Sequence, residues 1–223
     1  MLKSKKLEEE GKWALSFVVL EICRHYQSTL KFQSMEAMVK KYQQRFRKFK
    51  DEMDRWDELQ VRLISQFTNA SSIIGRLQVL QDPNNYGSLS GMDGIVDALL
   101  AKQMESEELG NTVRSMEKIY RDGKQLIKGG SNQPSTKQLQ QRVGLKPSLD
   151  DCLNGLRLLC DMHRSEYHLK ESMVSALPEL FWKPRNHSAQ DLSSLQQLLV
   201  DQPNIRKEEV EFIFDTILVP EAS

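Results

Sequence analysis

The chain has 223 residues, with 31 Lys and Arg against 31 Asp and Glu, 39% hydrophobic and 28% charged. Zero net charge speaks against a dedicated nucleic-acid binder, which carries a basic excess, although a local patch can still hold phosphate. The apolar content is too high for a disordered chain, and the first apolar run, Trp13 to Leu20 with Ser16 inside it, is far too short to span a membrane.

Residues 1 to about 12 are charged. Lys3, Lys5 and Lys6 precede the apolar run as in a signal peptide, but Glu8, Glu9 and Glu10 intervene and no small-residue cleavage site follows. A soluble intracellular protein is expected. Trp13, Phe17, Val18, Leu20, Ile22, Cys23, Tyr26 and Leu30 then read as a buried helix. The pattern allows this helix to continue into the next or to break between Gln27 and Ser34.

From Tyr42 the spacing is regular. Steps of four and three give Tyr42, Phe46, Phe49, Met53, Trp56, Gln60, Leu63, Phe67, Ala70, Ile74 and Leu77, all apolar except Gln60. A mean step of 3.5 residues is the coiled-coil period, held for about five heptads. The same seam extends backward through Val39, Met35 and Phe32. The positions between are charged, so one stripe of a long helix is apolar and must be covered. Asp82-Pro83-Asn84-Asn85 ends it.

A second helix is expected from about Met92 to Lys128. Its stripe is Met92, Ile95, Leu99, Leu109, Val113, Met116, Tyr120 and Ile127, weakened by Lys102, Ser106, Gly110 and Gly123. Two long helices joined by a short loop should pack antiparallel. Residues 129–147 are polar and rich in Gly and Pro, and read as a linker.

Ser148 with Asp151 has the capping-box spacing and opens a third helix, with Leu149, Leu153, Leu156, Cys160, His163, Tyr167, Val174 and Leu177 on its apolar stripe. Pro178 and Pro184 bracket Phe181-Trp182 in a segment expected to be irregular. Ser188 with Asp191 repeats the cap signal ahead of a short leucine-rich helix, which Asp201-Gln202-Pro203 closes. A last helix is expected from about Asn204 to Val219.

Little of this carries chemistry. Gly87-Ser88-Leu89-Ser90-Gly91 lacks the Lys and the flanking strand of a nucleotide loop. His163 and His168 are five apart and diverge around a helix, so no metal site is expected, and His163 reads as a partly buried helix residue. Paired acids at Asp150-Asp151, Glu107-Glu108 and Glu208-Glu209 suit helix first turns or solvated faces. Cys23, Cys152 and Cys160 include no CxxC and read as core residues in a reducing compartment. The basic run Lys40, Lys41, Arg45, Arg47, Lys48 and Lys50 interleaves with Tyr42, Phe46 and Phe49. It reads as the solvated face of the seam helix, with a nucleic-acid surface as the sharper alternative.

One stretch has the look of a known family. Leu158-Leu159-Cys160-Asp161-Met162-His163-Arg164-Ser165-Glu166-Tyr167-His168-Leu169-Lys170 resembles the arginine-glutamate helix of the cyclin-dependent-kinase-interacting protein (CINP) family. Asp191-Leu192-Ser193-Ser194-Leu195, followed by Leu198 through Asp201-Gln202-Pro203, is similar to that family's short helix ending in Gln-Pro. Trp56-Asp57-Glu58-Leu59 resembles its Trp-x-x-Leu element. The likeness is best over residues 148–218, weaker over 51–128 and absent before 50. It implies a small nuclear, non-enzymatic helical subunit, with the cytoplasm as a second compartment. It also implies association with cell-cycle kinases, origin licensing or checkpoint signalling, and with a AAA ATPase assembly acting on replisomes and pre-ribosomal particles.

The expected fold is therefore all-α: an elongated antiparallel helical bundle with coiled-coil character and a C-terminal cluster of shorter helices. Residues 1–128 form the long-helix part, 129–147 the linker, and 148–223 a C-terminal unit packing on the long helices. The expected function is an adaptor without catalytic residues, cofactor, metal or membrane contact. Direct nucleic-acid binding is not expected. Its partner-binding candidates are Arg164, Glu166, Lys170, Phe181 and Trp182. The alternative is a structural coiled-coil subunit of another large complex, for tethering or for linkage to microtubules.

Overall fold

A computed structural model describes residues 2–80, 106–128, 134–142, 146–181 and 185–218. Among these there are six helices and no strand, so the protein is all-α: α1 (Leu2–Leu80), α2 (Ser106–Lys128), α3 (Thr136–Gln140), α4 (Leu149–Phe181), α5 (Arg185–Asp201) and α6 (Lys207–Ile217). None of the described helices is long and apolar enough to cross a membrane.

The first helix is continuous over 79 residues, about 120 Å at 1.5 Å per residue. No Gly or Pro occurs between Gly11 and Gly75, so nothing breaks the ladder between Gln27 and Ser34. The seam is buried as spaced: Val39, Tyr42, Phe46, Phe49, Trp56, Gln60, Leu63, Phe67, Ala70 and Ile74 all lie inside. Among the described side chains of α1 burial starts at Met35; of the residues expected to form a buried helix before it, Tyr26 is exposed and the others lie outside the described side chains. Phe32, expected to extend the seam, is half exposed.

Two contacts fix α2 antiparallel to α1. The Tyr42 hydroxyl donates to the Gly123 carbonyl at 2.7 Å, and Arg62 pairs with Glu108 at 3.5 Å toward the other end. The expected stretch 92–105 lies outside the described residues. Gly110 and Gly123 weaken the helix but permit close approach. A Cβ at Gly110 would stand 2.9 Å from the Tyr167 hydroxyl, and one at Gly123 would stand 3.0 Å from Leu156 Cδ1 and 3.3 Å from Tyr42.

The segment read as a linker contains the short helix α3. Ser135 and Gln138 cap it reciprocally, and Leu139 packs against the core. Lys146 ties the segment to α1 through Glu36 at 2.5 Å. The Ser148–Asp151 capping box forms as spaced, with the Asp151 amide 3.0 Å from Ser148 Oγ and the Ser148 amide 3.1 Å from Asp151 Oδ2.

Two expectations fail in the C-terminal part. Helix α4 runs past Pro178 to Phe181. A proline so near a helix end costs the ladder a single bond, so the segment stays helical. Helix α5 starts at Arg185, ahead of Ser188. No breaker lies between Arg185 and Asp191, so the helix reaches back to the residue after Pro184.

Helices α1, α2 and α4 form the central layer, and α5 and α6 close its open side. Gly155 on α4 makes the closure possible: a Cβ there would sit 3.0 Å from Ile213 and Ile217 and 3.1 Å from Phe46. Phe46 and Phe214 meet edge to face at 5.8 Å.

Candidate functional site

The sharpest chemistry in the fold is a buried polar cluster where α1, α4, α5 and the α5–α6 connector meet. It begins with the end of α5. Gln202 sits in the left-handed region at φ 48°, and its amide bonds back to the Leu198 carbonyl at 3.3 Å. This is the single-bond αL form of helix termination. The Leu199 carbonyl would next pair with the amide of residue 203, but Pro203 has none. That orphan acceptor is taken by two side chains from elsewhere. Gln60 Nε2 of α1 donates to it at 2.5 Å and Lys170 Nζ of α4 at 3.4 Å.

Around this carbonyl the other members interlock. Lys170 pairs with Glu166 at 2.8 Å, and their side chains are 1% and 0% exposed. Glu166 Oε2 accepts from both the backbone and side-chain nitrogens of Asn204, each at 3.1 Å. Trp56 Nε1 donates to Gln202 Oε1 at 2.8 Å, and the Lys170 ammonium lies 5.9 Å from the Trp56 ring centre. His163 stands edge to face against Trp56 at 5.4 Å and Phe49 at 5.9 Å. Its Nδ1 faces the Leu159 carbonyl at 2.7 Å. A carbonyl only accepts, so that nitrogen carries the proton.

The electrostatics follow from burial. Desolvation lowers the Lys170 ammonium, opposed by its bond to Glu166. Desolvation likewise lowers His163, against the Leu159 carbonyl and the Glu166 charge. The two described thiols are inert: burial pushes Cys152 up to about 12 and Cys160 up to about 11. Among the described residues no group of His, Cys, Asp and Glu is arranged to hold a metal ion.

The family described as ribosome biogenesis protein C1orf109-like matches residues 36–222. The chain belongs to this family. A comparison with curated proteins finds no match. The family match starts at residue 36, next to Met35, the first buried residue among the described side chains of α1. Every member of the polar cluster lies within it.

The C1orf109-like core uses the partner-binding candidates in different ways. Glu166 and Lys170 point inward and hold α4 to the α5–α6 connector. Arg164 is 41% exposed and clamps α4 to α2 through Glu117 at 2.7 Å, with Asp161 at 3.0 Å. The Glu117 carboxylate raises its basicity further. Phe181 is the last residue of α4, and Trp182 lies outside the described residues. Of the expected apolar stripe of α4, Leu149, Leu156, Cys160, His163 and Leu177 are buried, and the buried face is wider than expected. Cys152, Leu159, Glu166, Lys170 and Met173 are buried, whereas Leu153 and Tyr167 are half-buried, and His163 is fully rather than partly buried.

Sequence reasoning placed Gln60 in the seam, and placed Glu166, Lys170 and the Gln-Pro stop, without joining them. The available signal was that Gln60 is the polar interruption of an apolar seam, and such a residue usually serves a buried partner.

Proposed function

We propose that this protein is a non-enzymatic helical adaptor in ribosome biogenesis, and that it links a AAA ATPase assembly to pre-ribosomal particles in the nucleus. Membership of the C1orf109-like ribosome biogenesis family carries the reading. The site chemistry agrees with it. The buried cluster spends its charged and amide groups on joining helices, its imidazole is held neutral by burial, and burial holds the thiols of Cys152 and Cys160 protonated. The resemblance of residues 148–218 to CINP supports the ATPase as partner. It also supports a second role beside cell-cycle kinases in replication or checkpoint signalling. The proposed contact points are the half-exposed Arg164 together with Phe181 and Trp182.

Affinity purification of the tagged full chain, read by mass spectrometry, tests this. A AAA ATPase and ribosome assembly factors should be recovered together, and depletion of the protein should delay pre-rRNA processing. Recovery of tethering or microtubule proteins with no ATPase would favour the structural coiled-coil alternative and sink the adaptor reading.

A further inference from the structure

The charge of the molecule is balanced in total but divided along α1. Between Glu36 and Asp51 the exposed arc of the helix carries Lys40, Lys41, Arg45, Arg47, Lys48 and Lys50 and no acid. The next two turns carry Asp51, Glu52, Asp54, Asp57 and Glu58, with Arg55 among them. From sequence the basic half is an ordinary solvated face. The fold adds to it on the side of α2. Because Tyr42 pairs with Gly123 and Arg62 with Glu108, Lys118 comes level with Lys48, and Lys118 is exposed, opposite the buried stripe of its helix. Lys41, Arg45 and Lys48 follow steps of four and three on the flank of α1 beside α2. The other flank lies toward α6, which brings exposed Asp215, so the α2 side is the more basic. Arg45 is packed across the gap: its Cδ is 3.8 Å from the Cβ position of Gly123. Its Nη1 donates to the Lys41 carbonyl at 3.1 Å, and its Nε is buried with no partner among the described residues. The acids interspersed here, Glu52 and Asp122, are half-buried.

We infer that Lys41, Arg45, Lys48 and Lys118 form a binding surface for the phosphodiester backbone of duplex RNA. A repeating row of cations complements a repeating polyanion. An acidic protein surface fits less well, since protein interfaces centre on apolar or aromatic anchors. Here Tyr42, Phe46 and Phe49 are all fully buried. The same burial removes any stacking platform for unpaired bases, so contact is with phosphates and is independent of sequence. The choice of RNA over DNA rests on the ribosome biogenesis reading; the phosphate surface itself does not.

The test is fluorescence anisotropy with a labelled 20-base-pair RNA duplex and the full chain. Binding should reach the micromolar range at about 50 mM salt, with a log–log salt slope near −3.6 for about four phosphate contacts. That slope is a loss of roughly a hundredfold between about 50 and 200 mM. The variant Lys41→Glu/Lys48→Glu/Lys118→Glu should bind at least about tenfold more weakly, with a slope near −1. Its melting temperature should be unchanged, because all three side chains are exposed. The control Arg76→Glu/Arg157→Glu/Lys207→Glu makes the same change in net charge at exposed positions away from this row and should stay within about threefold of wild type, since distant charges are screened. No binding by wild type at low salt, or equal loss in both variants, overturns the surface. Competition by polyglutamate of matched charge as effective as by unlabelled RNA would mark an acidic-polypeptide site instead. Tighter binding of a DNA duplex of the same sequence overturns the assignment to RNA.

Discussion

Glu166 and Lys170, one turn apart on α4, form a 2.8 Å ion pair that is sealed from solvent. A bare pair so placed repays its desolvation poorly, but removing one partner leaves an uncompensated buried charge. Here each partner also holds another element: Glu166 holds Asn204, and Lys170 holds the end of α5. Replacing Lys170 with Ala should therefore cost about 3–5 kcal/mol in urea unfolding. A loss below about 1 kcal/mol, the scale of an exposed pair, would mean that water reaches the site.

His163 gives a pH signature. Burial lowers its pKa in the fold, so the unfolded chain takes up a proton that the folded chain refuses. Its contribution is intact above about pH 6.5 and falls as pH drops from there toward the lowered value, by up to about 1.4 kcal/mol per pH unit. The variant His163→Gln should lack that share of the decline. Unfolding curves for the two proteins at pH 7.5, 6.0 and 5.0 measure it, and parallel declines would refute a buried neutral imidazole.

The seam separates two substitutions on one helix. Phe67 is fully buried, and Phe67→Ala should lose about 3–5 kcal/mol. Arg47 is exposed, and Arg47→Glu should stay within about 0.5 kcal/mol of wild type. Equal costs in a thermal melt would show that the heptad register is misplaced.

Two glycines on helices should respond with opposite signs. At Gly155 a methyl group meets Ile213, Ile217 and Phe46 at 3.0–3.1 Å, and Gly155→Ala should destabilise by about 1–3 kcal/mol. At Gly75 nothing lies within 4 Å, and Gly75→Ala should stabilise by about 0.5–1 kcal/mol through helix propensity. A stabilising Gly155→Ala would mean that α6 does not press against α4 there.

The periodic elements were legible in the sequence because periodicity is local. The run from Tyr42 to Ile74 announced both its helix and its buried face, and Ser148 with Asp151 announced the start of α4. What stayed hidden depends on distant partners. Lys170 looks like a surface residue until the carbonyl of Leu199, 29 residues away, needs a donor. Gly110 and Gly123 look like flaws until Tyr167 and Tyr42 arrive against them. The two misplaced boundaries, at Pro178 and Ser188, came from treating single residues as stops when the surrounding helix tolerates them.

The contacts that cover the seam also impose an order in time. Trp56 waits for Gln202, Gln60 for Leu199 and Gln43 for the carbonyl of Ile217, separations of 146, 139 and 174 residues. A ribosome adding about 5–20 residues per second needs roughly 7–35 seconds to deliver those partners after the seam has emerged. Throughout that interval the newborn chain shows an aromatic stripe to the cytosol, the kind of surface that chaperones recognise. Truncation ahead of α5 would leave Trp56, Gln60 and Gln43 permanently without these partners.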